Sequence, residues 1–115
     1  MTTDNGRTAA DEMAAWTSGD FDTVRALVAA DVTFVGSMGT TQGVDEYVEG
    51  LQGLRQIVEG VDIRRVVPDG DDVCVIYDLR TKEAGDLPCA AWYRFAGSSI
   101  ASKQVFFDPR PIVPG

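Results

Sequence analysis

Apolar residues along this chain recur first at three- and four-residue steps and later at every second position, which predicts helices at the front and strands behind. Ala9, Met13 and Trp16 mark a helix between Thr8 and Thr17, and Ser18-Gly19 ends it. Asp20 then stands as an N-cap before Phe21, Val24, Leu27 and Val28, one stripe on a second short helix reaching Ala30. The β-branched and aromatic run DVTFVG, Asp31 to Gly36, predicts a strand, and Ser37 to Gly43 a loop. Val44, Tyr47, Val48, Leu51, Leu54 and Val58 repeat as a third helix, which Gly50 and Gly53 each weaken by up to about 1 kcal/mol.

From Val61 the period is two. VDIRRVV, DVCVIYDLRT, LPCAAWYRF and IASKQVFFD are separated by the turn-rich clusters PDGD, KEAGD and AGSS. Short links between successive strands favour antiparallel pairing, and helices grouped at the front cover one face of the sheet, so the expected fold class is α+β with about three N-terminal helices on a mostly antiparallel sheet. The 115 residues suit one domain, with a core over about 8–108 and an extended proline-rich tail over 109–115.

Eighteen acidic against ten basic residues give a net charge of −8, which repels phosphate backbones and anionic lipid, so neither nucleic acid nor a membrane surface is an expected partner. No apolar run approaches the roughly 20 residues of a membrane span, and the first residues lack the pattern of a signal peptide; the expected location is cytoplasmic. The chain has no histidine, which removes Ser-His-Asp, Cys-His and HExxH chemistry and leaves acid-base work to carboxylates, Lys, Tyr or Cys. Cys74 and Cys89 are too far apart for a CxxC pair and are expected as free, buried thiols. Neither GxGxxG, GxxxxGK[ST] nor an EF-hand spacing occurs, so no cofactor and no metal is expected.

WTSGDFDTVRALVAADVTFVG resembles the helix-turn-helix-strand entry of the SnoaL-like and ketosteroid-isomerase-like proteins of the nuclear transport factor two superfamily. VCVIYDL, AWYRFAGSSI and VFFDPRP resemble that family's later strands and exit, so the similarity runs from about Thr8 to Pro111. The resemblance implies a cone: a curved sheet wrapped around a long helix, a pocket opening between them, and homodimers formed through the outer sheet face. It also implies function in the polar residues pointing into the cone. In the ketosteroid isomerases these are a carboxylate base, a tyrosine and a protonated acid, and the corresponding positions here are Gly36, Glu12 and Ala91. The usual histidine of the cyclases is missing. Of the Asp-Arg-Asp set of the limonene-epoxide hydrolases only Asp78 has a match, with Ile76 and Val105 at the other two positions.

Two side chains are the candidate catalytic residues. If Cys74, Ile76 and Asp78 face the cone, the Asp78 carboxylate is desolvated and suited to a base; in the opposite phase Val73, Val75, Tyr77 and Leu79 line the cone and Asp78 is solvated. Lys103 alternates with Val105 and Phe107 on the side that the resemblance turns toward the pocket, where it would bind an enolate or carboxylate or pair with Asp78. Glu12 shares a helix side with Trp16 and is directed by the same resemblance to the pocket mouth. Trp16, Phe34, Met38, Tyr47, Leu51, Leu54, Tyr93, Val105 and Phe107 are candidate wall residues, with the Tyr47 and Tyr93 hydroxyls placed to orient a carbonyl. Asp108, before Pro109 and near Arg110, reads as a turn and an ion pair. Trp92 and Arg94 alternate outward, as a homodimer face requires.

The expected function is binding of a small apolar carbonyl compound in the cone, with isomerase- or cyclase-like proton transfer. The competing readings are a non-catalytic binding protein and a dimeric scaffold with a degraded site.

Overall fold

The computed structural model describes residues 4–37 and 39–111. Helix α1 spans Asn5–Ser18, capped at its start by the Asp4 side chain, which accepts from the Arg7 amide. It stops at Gly19, whose φ of +85° is the left-handed conformation that glycine adopts without strain; an added Cβ there would also lie 3.0 Å from the Arg55 guanidinium. Helix α2, Phe21–Leu27, starts on the predicted Asp20 cap, which accepts from the Thr23 amide.

The second helix ends three residues sooner than its apolar stripe suggests. Val28 is the first residue of strand β1, Val28–Gly36, where it pairs with Ile100. Ladder pairing available to a β-branched residue outweighs its place on a helical stripe. The predicted loop contains a further short strand, β2, Gly39–Gln42, folded back on β1 with Thr33 opposite Gln42. Helix α3, Val44–Arg55, is shorter than its stripe, because Val58 opens strand β3, Val58–Asp69. Strands β4, Asp72–Thr81, β5, Asp86–Ala96, and β6, Ser99–Phe106, follow close to the predicted runs.

The sheet order is β2-β1-β6-β5-β4-β3, antiparallel except for the β1–β6 pair. Register shifts in β1–β6, β3–β4 and β5–β6 mark the irregularities that bend a sheet, and the three helices pack on this curved surface. Helix α1 lies over β3 and β4, and α3 over β1 and β2. The core therefore sits between the inner sheet face and the helices. Ala9, Met13 and Trp16 enter it from α1, and Val73, Val75, Tyr77 and Leu79 from β4. After β6 the chain leaves the ladder at Phe107 and turns at Arg110-Pro111. There Asp108 holds both the Arg110 amide at 3.0 Å and its guanidinium at 2.6 Å; the remaining tail, 112–115, lies outside the described residues. Among the described residues no helix is long and apolar enough to cross a membrane.

Candidate functional site

Register brings four side chains into one row across the inner sheet face. Phe34 on β1 lies opposite Lys103 on β6, Lys103 opposite Tyr93 on β5, and Tyr93 opposite Val73 on β4. Tyr47 reaches this row from α3 and Glu12 from α1. Glu12 belongs there because Ala9, Glu12, Met13 and Trp16 fall at i, i+3, i+4 and i+7, so the carboxylate occupies a position within the helix's buried stripe.

The result is a polar cluster inside an apolar core. Tyr47 donates to Glu12 Oε2 at 2.5 Å, and Tyr93 donates to Oε1 at 2.8 Å. The Lys103 ammonium donates to Glu12 Oε1 at 3.0 Å and to the Tyr47 hydroxyl oxygen at 3.2 Å. Its nitrogen also lies over the Tyr93 ring at 5.0 Å and the Tyr47 ring at 5.7 Å, both within cation–π range. Glu12 and Tyr93 are 0% exposed, Lys103 and Tyr47 2%. Burial, and then the Glu12 charge beside them, push both phenols well above the ordinary tyrosine value. Beside the cluster, burial also raises Tyr77 well above that value and the Cys89 thiol to about 11, so both groups stay protonated at neutral pH.

A buried charge pair is weak evidence for stability, since desolvation of the two ions offsets most of their attraction. What the arrangement offers chemically is a carboxylate surrounded by three donors in a buried site. A ligand oxygen that drew the phenols and the ammonium to itself would free that carboxylate as a proton acceptor.

The predicted residues divide sharply. Glu12, Tyr47, Tyr93 and Lys103 converge, and Glu12 is deeper than the pocket mouth. Asp78 does not join them. Strand β4 adopts the phase that buries Val73, Val75, Tyr77 and Leu79, because that set covers the core with apolar surface, and Asp78 is left on the other face. There its carboxylate lies 3.6 Å from the exposed Arg64 guanidinium, so the partner available to Lys103 is Glu12 and not Asp78. Phe34 is partly buried, its ring 5.8 Å from that of Tyr47. The same ring fills the space beside Gly36, where an added Cβ would come within 2.9 Å of it. Trp16, Leu51 and Val105 are core residues, and Leu54 and Phe107 pack partly buried against them. Met38 lies outside the described residues.

Cys89 is buried and Cys74 half-buried, both as free thiols. Trp92 and Arg94 point outward and share Asp72, which accepts from the indole at 2.8 Å and from the guanidinium at 3.1 Å. Of two surface depressions, the first lies away from the cluster and the second is bordered in part by Lys103. One, of about 430 Å³, is bordered by Gln56, Ile57, the Thr81–Ala84 turn and Pro111. The other, of about 210 Å³, is bordered by Thr33, Val35, Trp92, Arg94 and the Ser102–Gln104 segment. Among the described residues no group of three or more Cys, Asp or Glu is placed to hold a metal ion.

Comparison with known proteins agrees with this architecture. The profile of the SnoaL-like domain matches residues 9–103. A protein with a ketosteroid isomerase-like fold from Catenulispora acidiphila, solved in complex with trimethylamine, is 27% identical with a TM-score of 0.76, over 93% of this chain and 88% of that one. An NTF2-like protein of unknown function from Cytophaga hutchinsonii is 22% identical with a TM-score of 0.84, over 97% and 96%. A protein from Jannaschia sp. CCS1 assigned as a SnoaL-like polyketide cyclase is 17% identical with a TM-score of 0.84, over 94% and 88%. No curated protein matches the chain.

Proposed function

The chain belongs to the SnoaL-like domain family, and from that premise we propose that it binds a small apolar carbonyl compound inside the cone and moves a proton on it, in the manner of an isomerase or cyclase. One observation carries this reading: Glu12, Tyr47, Tyr93 and Lys103 come from four different elements to meet in an otherwise apolar core. In this reaction the carbonyl oxygen takes the phenol and ammonium donors, and the released Glu12 carboxylate accepts a proton from the neighbouring carbon. Two phenols and an ammonium then stabilise the enolate oxygen where water is excluded. Lys103 and Glu12 are the catalytic residues of this reading, in place of Lys103 and Asp78.

Deuterium uptake at the α-carbons of cyclohexanone in D2O, followed by NMR, tests it. The wild-type chain should accelerate uptake over buffer, and the Glu12→Gln/Lys103→Met double variant, once shown to be folded, should not. A wild-type rate equal to that of buffer refutes proton transfer. One feature favours a non-catalytic binder as the second reading: Tyr47, Tyr93 and Lys103 each already donate to Glu12, so a ligand must compete with a carboxylate for them. Saturable cyclohexanone binding without exchange would identify that case.

We further propose that the outer sheet face receives a second copy of the chain. Val67, Cys74, Trp92, Gln104 and Val35 form one cross-strand row there, and Ile76, Ala90 and Phe106 the next. Val35, Val67, Ile76, Trp92 and Phe106 are all exposed in the single chain, a contiguous apolar patch of the kind that marks an interface. Sedimentation should give a dimer for the wild type and a folded monomer for Trp92→Ala; a monomeric wild type at high concentration overturns this.

A further inference from the structure

The cation in the core is a lysine, and this chain holds only two lysines, the exposed Lys82 and the buried Lys103, against eight arginines. Arginine stays charged throughout the accessible pH range, so it can pair with a carboxylate but cannot serve as a nucleophile; a lysine amine can do both. Lys103 has the surroundings that such a step uses. Glu12 Oε1, 3.0 Å from Nζ, is within reach of the ammonium proton, and the Tyr47 hydroxyl lies 3.2 Å from Nζ.

Resting on the carbonyl-binding reading above, we propose that Lys103 captures an aldehyde or ketone covalently as an imine. The ammonium passes a proton to Glu12, and the free amine adds to the carbonyl carbon, forming a C–N bond while the oxygen takes that proton. The nitrogen of the adduct returns a proton to Glu12. Glu12 then delivers it to the hydroxyl, which leaves as water with the C–O bond electrons. The net change is ammonium plus carbonyl giving iminium plus water. No oxidant or reductant is needed, and the positive charge stays on the same nitrogen beside Glu12. The core ion pair is thus present before and after capture, so no newly unpaired charge is buried.

The test uses the full chain with cyclohexanone and sodium cyanoborohydride, which reduces an iminium to a stable secondary amine, followed by peptide mapping at early times. Ordinary amine reactivity follows exposure and would mark Lys82 and the amino terminus. Capture in the core instead marks Lys103 ahead of Lys82, a label lost in Lys103→Met and kept in Lys82→Arg. Because the wild-type map alone compares the two lysines, the outcome does not depend on the Lys103 variant folding. Ligand-observed saturation-transfer NMR without reductant reports binding separately. Saturable binding with Lys103 unlabelled overturns covalent capture and leaves the carbonyl-binding reading standing. No binding and no Lys103 label overturns both.

Discussion

Removing one member of the Glu12–Lys103 pair should destabilise the fold far more than neutralising both. Lys103→Met leaves the Glu12 carboxylate with its two phenol donors and no cation, while Glu12→Gln leaves the ammonium with an amide oxygen, the Tyr47 oxygen at 3.2 Å and two ring faces. With both side chains at most 2% exposed, an uncompensated charge costs about 3–5 kcal/mol, whereas replacing a buried pair by neutral residues of similar volume is often neutral or stabilising. Gln and Met are the appropriate replacements because Gln keeps an acceptor for the Tyr47 and Tyr93 hydroxyls, and Met follows the lysine stem. Against a total stability of about 5–15 kcal/mol, either single variant should lose a large share. At about 4 °C per kcal/mol for a domain of this size, each should melt roughly 12 °C or more below the wild type. The double variant should lose less than about 2 kcal/mol, giving a coupling energy above about 3 kcal/mol. Urea unfolding followed by circular dichroism measures all four corners of the cycle. Single variants within about 1 kcal/mol of the wild type, the behaviour of an exposed pair, or single losses that simply add in the double variant, would refute the buried-pair geometry.

Two further outcomes follow from the same arrangement. All three tyrosines, Tyr47, Tyr77 and Tyr93, are raised above the ordinary value of 10.0 chiefly by burial. A folded-state value above the unfolded one gives stability that is fully present below about pH 10 and is lost as pH climbs beyond it. Cys89, raised from 9.0 to about 11, adds the same trend over that interval. The phenolate ultraviolet band should therefore stay absent in the folded chain at pH 10 and rise together with unfolding; phenolate titrating near pH 10 in a folded chain would contradict the burial. Asp78→Asn, which touches only the half-exposed contact with Arg64 at 3.6 Å, should change stability by less than about 1 kcal/mol and leave cyclohexanone exchange intact; loss of exchange in a folded Asp78→Asn would return Asp78 to the site.

The sequence by itself determined the element types and most of their positions, because they rest on local periodicity. The stripe Ala9–Met13–Trp16, the Asp20 cap and the alternation from Asp72 to Thr81 each depend on residues close along the chain. Where a strand was extended or added, at Val28, Gly39–Gln42 and Val58, the partner that decided it lies elsewhere in the chain: Ile100, residues 33–36 of β1, and Thr81. Local propensity holds no information about such partners. All four members of the cluster are individually visible as polar groups on apolar faces, Glu12 on the α1 stripe and Lys103 in phase with Val105 and Phe107. That they satisfy one another was decided by the tertiary structure, since register sets Lys103 between Phe34 and Tyr93 and helix packing brings Glu12 and Tyr47 onto that row. The phase of β4 was open in the sequence for the same reason. Either face could have been inside until the whole core had to be closed with apolar surface, and burying Val73, Val75, Tyr77 and Leu79 left Asp78 on the outer face.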